Sequence, residues 1–132
     1  MFSIERAKEL FRKKGSFRVH YNKQGEMESV FVMSTSGHLF FRLTKYGDWN
    51  EGEEREIYLS DFSVEEQFRG LGEGNKSLDK IIEVCKELGA DKLLLGVEDA
   101  NSWVSEWYKR KGFKVDTYYE DCDDQLFLNL KK

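Results

Sequence analysis

The chain reads as an α+β protein: a mixed, mostly antiparallel sheet with a central parallel strand pair and helices on both faces. Three observations carry that reading. Four strand-like runs follow one another between residues 17 and 64, with short or polar spacers that favour an antiparallel meander. An amphipathic helix then leads into an apolar run over 92–97, the order expected of a strand, a crossover helix and a parallel strand. A second helix and two closing strands complete the pattern. The 132 residues contain no linker-like stretch and no internal repeat, so a single domain over residues 1–132 is expected.

Residues 3–14 suit a helix, because Ile4, Ala7, Leu10 and Phe11 share one face, with Ser3 as N-cap and Gly15 as stop. The strand-like runs are 17–22, 29–35, 39–44 and 56–64, separated by Gly25, by Ser36-Gly37 and by the polar loop 45–55. A glycine-rich loop over 69–74 opens the next helix. That helix aligns Leu78, Ile81, Ile82, Cys85 and Leu88 on one stripe and ends at Gly89. A helix over 102–111 stops at Gly112, and the strands 113–119 and 125–130 flank a turn at 120–124. With no proline anywhere, the turns rest on Gly, Asn and Asp.

Composition excludes several classes. A net charge of −4 argues against a nucleic-acid partner, which selects a basic surface. No apolar run is long enough to cross a bilayer and no signal-peptide pattern opens the chain, so no membrane partner and a cytoplasmic location are expected. Cys85 and Cys122 form no metal-spaced or redox-spaced motif, and His20 and His38 stand far apart, so no metal site is expected.

The chemistry concentrates in two segments. The first is Val64-Glu-Glu-Gln-Phe-Arg-Gly-Leu-Gly-Glu-Gly74, in which Arg69-x-x-Gly72-x-Gly74 lies between a strand and an amphipathic helix. A pyrophosphate needs several backbone N–H groups converging on it, and side chains there obstruct its approach. Glycines remove the obstruction, and the helix start adds free donors and a favourable dipole. The second segment runs from Asn101 to Phe113, with Asn101, Tyr108, Gly112 and Phe113 at set intervals.

Together the two segments resemble the GNAT (general-control-related N-acetyltransferase) superfamily. The first is similar to its R/Q-x-x-G-x-G/A signature. The second is similar to its N-x-x-A-x-x-x-Y-x-x-x-G-F segment, with Val104 in place of the small alanine. The resemblance covers about residues 57–113 and implies a GNAT-like fold and transfer of an acetyl group from acetyl-coenzyme A to an amine. It also implies roles. Backbone groups of Phe62, Ser63 and Val64 would pair with the pantetheine arm, and a bulge there would turn an N–H toward the acetyl carbonyl. Arg69, Gly70, Leu71, Gly72, Glu73 and Gly74, with Asn75 opening the helix, would take the pyrophosphate. Asn101 would hydrogen-bond the cofactor where the parallel strands part. Tyr108 would protonate the departing thiolate, since a phenol of pKa about 10 suits a thiol of about 8.5. No cysteine or serine is placed as a nucleophile, so the amine is expected to attack directly.

Two departures stand out. Many relatives carry a glutamate base five residues before the Asn101 position, where this chain has Gly96. Glu98, two residues on and on the same strand face, is the substitute candidate, with Asp61 behind it. Relatives also begin with a strand and two helices that shape the acceptor pocket, whereas this chain offers one helix and four strand-like runs. The acceptor is expected to be a small-molecule or peptide amine. If the acidic runs 51–54 and 120–124 border the acceptor mouth, they favour a cationic one.

Blander readings stand beside these. Tyr108 can belong to a packed aromatic face with Trp103 and Trp107, Asn101 can be an N-cap, and Glu98 a solvated carboxylate. The missing glutamate also suits a GNAT fold that binds coenzyme A or a protein without turnover. Gly70-Leu-Gly-Glu-Gly-Asn-Lys-Ser77 is one residue from a nucleotide-binding P-loop, with Asn75 where a glycine is required.

Overall fold

The computed structural model describes residues 4–15, 17–24, 27–37, 39–64, 72–97, 103–115 and 125–131. Helix α1, Ile4–Lys14, precedes a meander of β1, Phe17–Gln24, β2, Met27–Ser34, β3, Leu39–Tyr46, and β4, Glu56–Val64. Helix α2, Glu73–Glu87, leads to β5, Lys92–Gly96, and helix α3, Trp103–Arg110, leads to β6, Lys114–Val115, and β7, Gln125–Asn129. The strands form one sheet in the order β1-β2-β3-β4-β5-β7-β6. Only β4 and β5 are parallel neighbours; every other pair is antiparallel. The expected mixed sheet with a central parallel pair is present. The first hairpin is longer than the periodicity indicated, because cross-strand pairing continues to Gln24 and Met27.

Alternation decides what each strand buries. Val30 and Val32 of β2, Leu39, Phe41 and Leu43 of β3, Ile57 and Leu59 of β4, and Leu93 and Leu95 of β5 are all buried on one face. Helix α1 docks there through Ala7 and Phe11, with the Phe11 ring 5.4 Å from Phe17 and 5.6 Å from Phe41. Burying one such ring contributes about 2–3 kcal/mol. Helix α2 adds Leu78, Ile81 and Cys85 from its predicted stripe together with Val84, which the stripe left out, while Ile82 is only partly buried. Lys14 of α1 meets Glu83 of α2 at 2.7 Å, while Trp107 of α3 donates to Asn75 of α2 at 2.8 Å.

These contacts place all three described helices side by side over the same face, where the sequence suggested helices on both. Handedness explains it. The connections β4–α2–β5 and β5–α3–β6 both join parallel strands and both advance in the same direction across the sheet. Right-handed crossovers of that kind put their helices on one side. The opposite face carries partly buried Phe31, Phe40, Arg42, Tyr58 and Ser60.

The two ends of the β4–β5 pair differ. At the end where both strands begin, Asp91 and Lys92 donate their backbone N–H groups to the carbonyl of Arg55, and Arg55 N–H donates to Asp91 Oδ2 at 2.9 Å. Trp49, 5% exposed, closes the same end and donates its indole N–H to the carbonyl of Glu56 at 3.2 Å. No described helix is long and apolar enough to cross a membrane.

Candidate active site

At the other end the strands part. The register runs from Glu56↔Lys92 to Leu59↔Leu95 and stops there, although β4 continues to Val64 and β5 to Gly96. Beyond Leu59, the β5-facing edge of β4 therefore has no described strand hydrogen-bonded to it. Its other edge stays paired with β3, but with a slip: Arg42 faces Ser60 whereas Phe40 faces Ser63. Three steps along β4 match two along β3, which is a β-bulge with one extra residue. Asp61 absorbs it at φ 56, left-handed for a residue with a side chain, at a strain of order 1–3 kcal/mol. The bulge lies beside Phe62, at the position that the resemblance implied.

Helix α2 starts beside this gap. Gly72 at its N-cap has φ 83, where a β-carbon would be strained, and the glycine itself offers no side-chain cap. Lys76 N–H makes the first helical bond, to the Gly72 carbonyl at 3.1 Å, so the amides of Glu73, Gly74 and Asn75 are the first-turn donors without a helical acceptor. Gly74 thus lies within the first turn, not in a loop before it. The Glu73 carboxylate is drawn aside, accepting from Ser36 Oγ at 2.8 Å. First-turn amides at the positive end of a helix favour an anion in general.

Tyr108 stands on α3, 6% exposed, with Phe113 at 5.4 Å and Trp107 at 4.9 Å between ring centres. Burial pushes its phenol up to about 12, so it is a weaker acid than the ordinary phenol expected from sequence. Trp107 stacks on Phe62 of β4, with centres 6.0 Å apart and planes at 29°, while its indole holds Asn75. One side chain therefore ties the strand end, the start of α2 and the tyrosine helix together. Cys85 is fully buried and its thiol is pushed up by that burial, which removes it as a nucleophile.

Gly96 has a structural reason. A β-carbon built there would lie 2.8 Å from the Tyr58 hydroxyl, so the phenol of β4 takes the room that a side chain on β5 would need. Sequence reading passed over Tyr58. The signal was available only jointly, in a tyrosine three residues before the bulge and a glycine at the end of the neighbouring strand. Asp61 is half exposed and its Oδ2 lies 3.9 Å from Arg42 Nε, an ion pair without a hydrogen bond. The loop at 51–54 leads into β4 from the sealed end, roughly 16 Å along the strand from the gap, at about 3.3 Å per residue. It does not border the gap. Arg69, Gly70, Leu71, Glu98, Asn101 and the acidic run 120–124 lie outside the described residues, and for Ser63 and Val64 only the backbone is described. Among the described residues no cluster of three potential metal ligands occurs.

Residues 37–113 match the acetyltransferase (GNAT) family. The chain belongs to that family. The GNAT match spans the gap, the bulge, α2 and α3. A thialysine N-ε-acetyltransferase from Bos taurus is 37% identical over 67 residues, covering 51% of this chain and 38% of that protein. A mycothiol acetyltransferase from Propionibacterium freudenreichii is 37% identical over 75 residues, covering 57% of this chain and 23% of that protein. The matched segment is thus well under two thirds of either relative. The fold resembles that of nourseothricin acetyltransferase, with a TM-score of 0.57 at 21% identity over 88% of this chain and 84% of that one. It also resembles a GNAT acetyltransferase from Elizabethkingia anophelis solved with acetyl-CoA bound, with a TM-score of 0.56 at 15% identity over 87% and 99%.

Proposed function

We propose that this protein is an acetyl-CoA-dependent N-acetyltransferase that acts on a primary amine by direct attack in a ternary complex. The observation that carries the reading is the parted β4–β5 pair, with a bulge on one lip and the uncapped start of α2 beside it. Extended backbone that has lost its neighbour is what an amide-containing arm such as pantetheine can pair with. The amides of Gly74, Glu73 and Asn75, with Gly72 and the preceding residues Arg69, Gly70 and Leu71, would hold the pyrophosphate. Backbone groups of Phe62, Ser63 and Val64 would hold the arm, and Asn101 would add a hydrogen bond where the strands part.

The chemistry asked of the chain is modest. The amine nitrogen forms a bond to the acetyl carbon, the carbon–sulfur bond breaks, the amine loses one proton and the thiolate gains one. A bulge N–H near Phe62 would stabilise the developing oxyanion. Tyr108 would face the leaving sulfur. With its phenol near 12 and a thiol near 8.5, full proton transfer is uphill by about 5 kcal/mol. Tyr108 therefore acts chiefly as a hydrogen-bond donor that lowers the energy of the departing thiolate. Glu98 is retained as the candidate base, directly or through water. A second reading, a coenzyme A-binding GNAT module without turnover, is favoured only by Gly96 in place of a carboxylate.

The deciding measurement is thiol release from acetyl-CoA across a panel of amines, paired with thermal unfolding. Acetyl-CoA should raise the melting temperature with concentration, and ATP much less. Thiol release with an amine supports the enzyme. A stable acetyl-CoA complex that releases no thiol with any amine would establish the binding module instead, and stabilisation by ATP-Mg²⁺ alone would overturn both readings.

A further inference from the structure

If the gap is the site of transfer, as proposed above, the two substrates approach it from opposite sides. The start of α2 and the buried Tyr108 both lie on the helix-bearing face. The acceptor then enters from the other face of the sheet, where the side chains alternating with Leu59 and Phe41 point: Tyr58 and Ser60 on β4, and Arg42 and Phe40 on β3.

We infer that this face carries an acceptor subsite that reads a carboxylate on the amine substrate through Arg42, with the Tyr58 hydroxyl beside the reacting nitrogen. Arg42 sits opposite Ser60 at the bulge, and its Nε lies 3.9 Å from Asp61. That Nε is buried and has no hydrogen-bond partner among the described residues. Buried polar groups are nearly always paired, so an orphan donor on β3, one strand away from the open edge of β4, marks a place where a ligand acceptor would fit. About a third of the Arg42 side chain remains open to solvent, which leaves a route in. A guanidinium presents a planar fork of donors that matches a carboxylate, and its charge is fixed at any working pH. Asp61 is a poor competitor, since it makes no hydrogen bond to Nε and more than half of its side chain is in solvent.

Tyr58 supplies the second contact. Its hydroxyl lies over Gly96, at the end of β5, on the same sheet face as Arg42. A phenol oxygen there can accept a hydrogen bond from an incoming amine without adding charge. The ligand class follows from the pair: a small molecule with a primary amine and a carboxylate, that is, an amino acid and not a simple polyamine. The acidic loop at 51–54, roughly 16 Å along β4 from the gap, adds no opposing selection for a dication.

The test compares amines that differ only in the carboxylate: lysine with lysinamide, alanine with alaninamide, and β-alanine with β-alaninamide. For the accepted pair, replacing carboxylate by amide should lower kcat/KM at least tenfold, mainly through KM. Arg42→Gln should impose the same loss on the acid and leave the amide unchanged, while Arg42→Lys should recover part of it. Equal use of acid and amide by the wild-type protein would overturn the inference without any variant, and so would an Arg42→Gln loss shared by both. Thiol release with simple amines but with none of the three acids would also overturn it, leaving the transferase reading intact. Thiol release with no amine at all would remove the transferase reading on which it rests.

Discussion

The two ends of the β4–β5 pair are made of the same kind of strand and are built for opposite ends. Where the strands begin, the Arg55 carbonyl takes two backbone donors, Asp91 caps the Arg55 amide, Lys92 pairs with Glu54 at 3.2 Å, and Trp49 seals the edge. Where they finish, pairing stops at Leu59 and Leu95, Asp61 holds a left-handed backbone, and Arg42 keeps an unpaired donor. Several groups are tied together at one end, and at the other one buried donor has no partner among the described residues. The lesson is that the sealed end and the proposed binding end are separated along one pair of strands, so each should be open to perturbation with little effect on the other.

The largest expected effect is at the open end. Gly74→Glu places a carboxylate in the first turn of α2, where it suits the helix dipole and should leave the melting temperature level or slightly higher. The same charge faces the proposed pyrophosphate. Affinity for acetyl-CoA, read by calorimetry, should fall about a thousandfold, or some 4 kcal/mol. Retained affinity would dissolve the distinction between the ends.

Next in size is the sealed end. Trp49→Ala removes a ring that is 5% exposed together with its hydrogen bond to Glu56, and should cost about 3–5 kcal/mol of stability. Acetyl-CoA affinity per folded molecule should stay within about twofold, because coupling between sites that share no contact is small. A matching loss of affinity in denaturant-calibrated samples would show that the two ends communicate.

The smallest effect sharpens the comparison at one hydroxyl. Tyr108→Phe keeps the ring packed against Phe113 and should lower kcat by about a hundredfold with acetyl-CoA affinity nearly unchanged. Tyr108 also has a pH signature. Its pKa is raised from 10 to about 12 in the folded protein, so folding favours the neutral phenol. That contribution is complete below pH 10 and is lost as pH rises from 10 to 12, about 3 kcal/mol in all. In Tyr108→Phe this part of the alkaline loss should vanish, while the part due to buried Cys85 remains. Equal alkaline slopes for the two proteins would mean that the phenol is not held neutral by burial.

Much of this was legible in the residue order. The helical stripe Leu78, Ile81, Cys85, Leu88 and the alternation in Leu39, Phe41, Leu43 name their buried faces directly, because periods of 3.6 and 2 are local properties of helix and strand. The glycine pattern located the turn into α2, because a turn depends on local chain geometry, whereas the burial of Tyr108 came only with the packing of α3.

Other features arose only when distant segments met. The crowding of helices onto one face follows from the handedness of two crossovers, which no local pattern encodes. The gap exists because β5 stops pairing with β4 after Leu95, and the bulge because β3 and β4 slip by one residue between Arg42 and Ser63. Gly96 read by itself is a missing carboxylate; beside Tyr58 it is the space a phenol needs. Arg42 read by itself is an ordinary strand residue; beside the bulge it is a cation with a buried donor unpaired. The sequence by itself determined which faces are apolar and which glycine-rich segment leads into α2. The tertiary structure alone decided where the sheet opens and which polar groups line the opening, because register and burial are properties of pairs of segments.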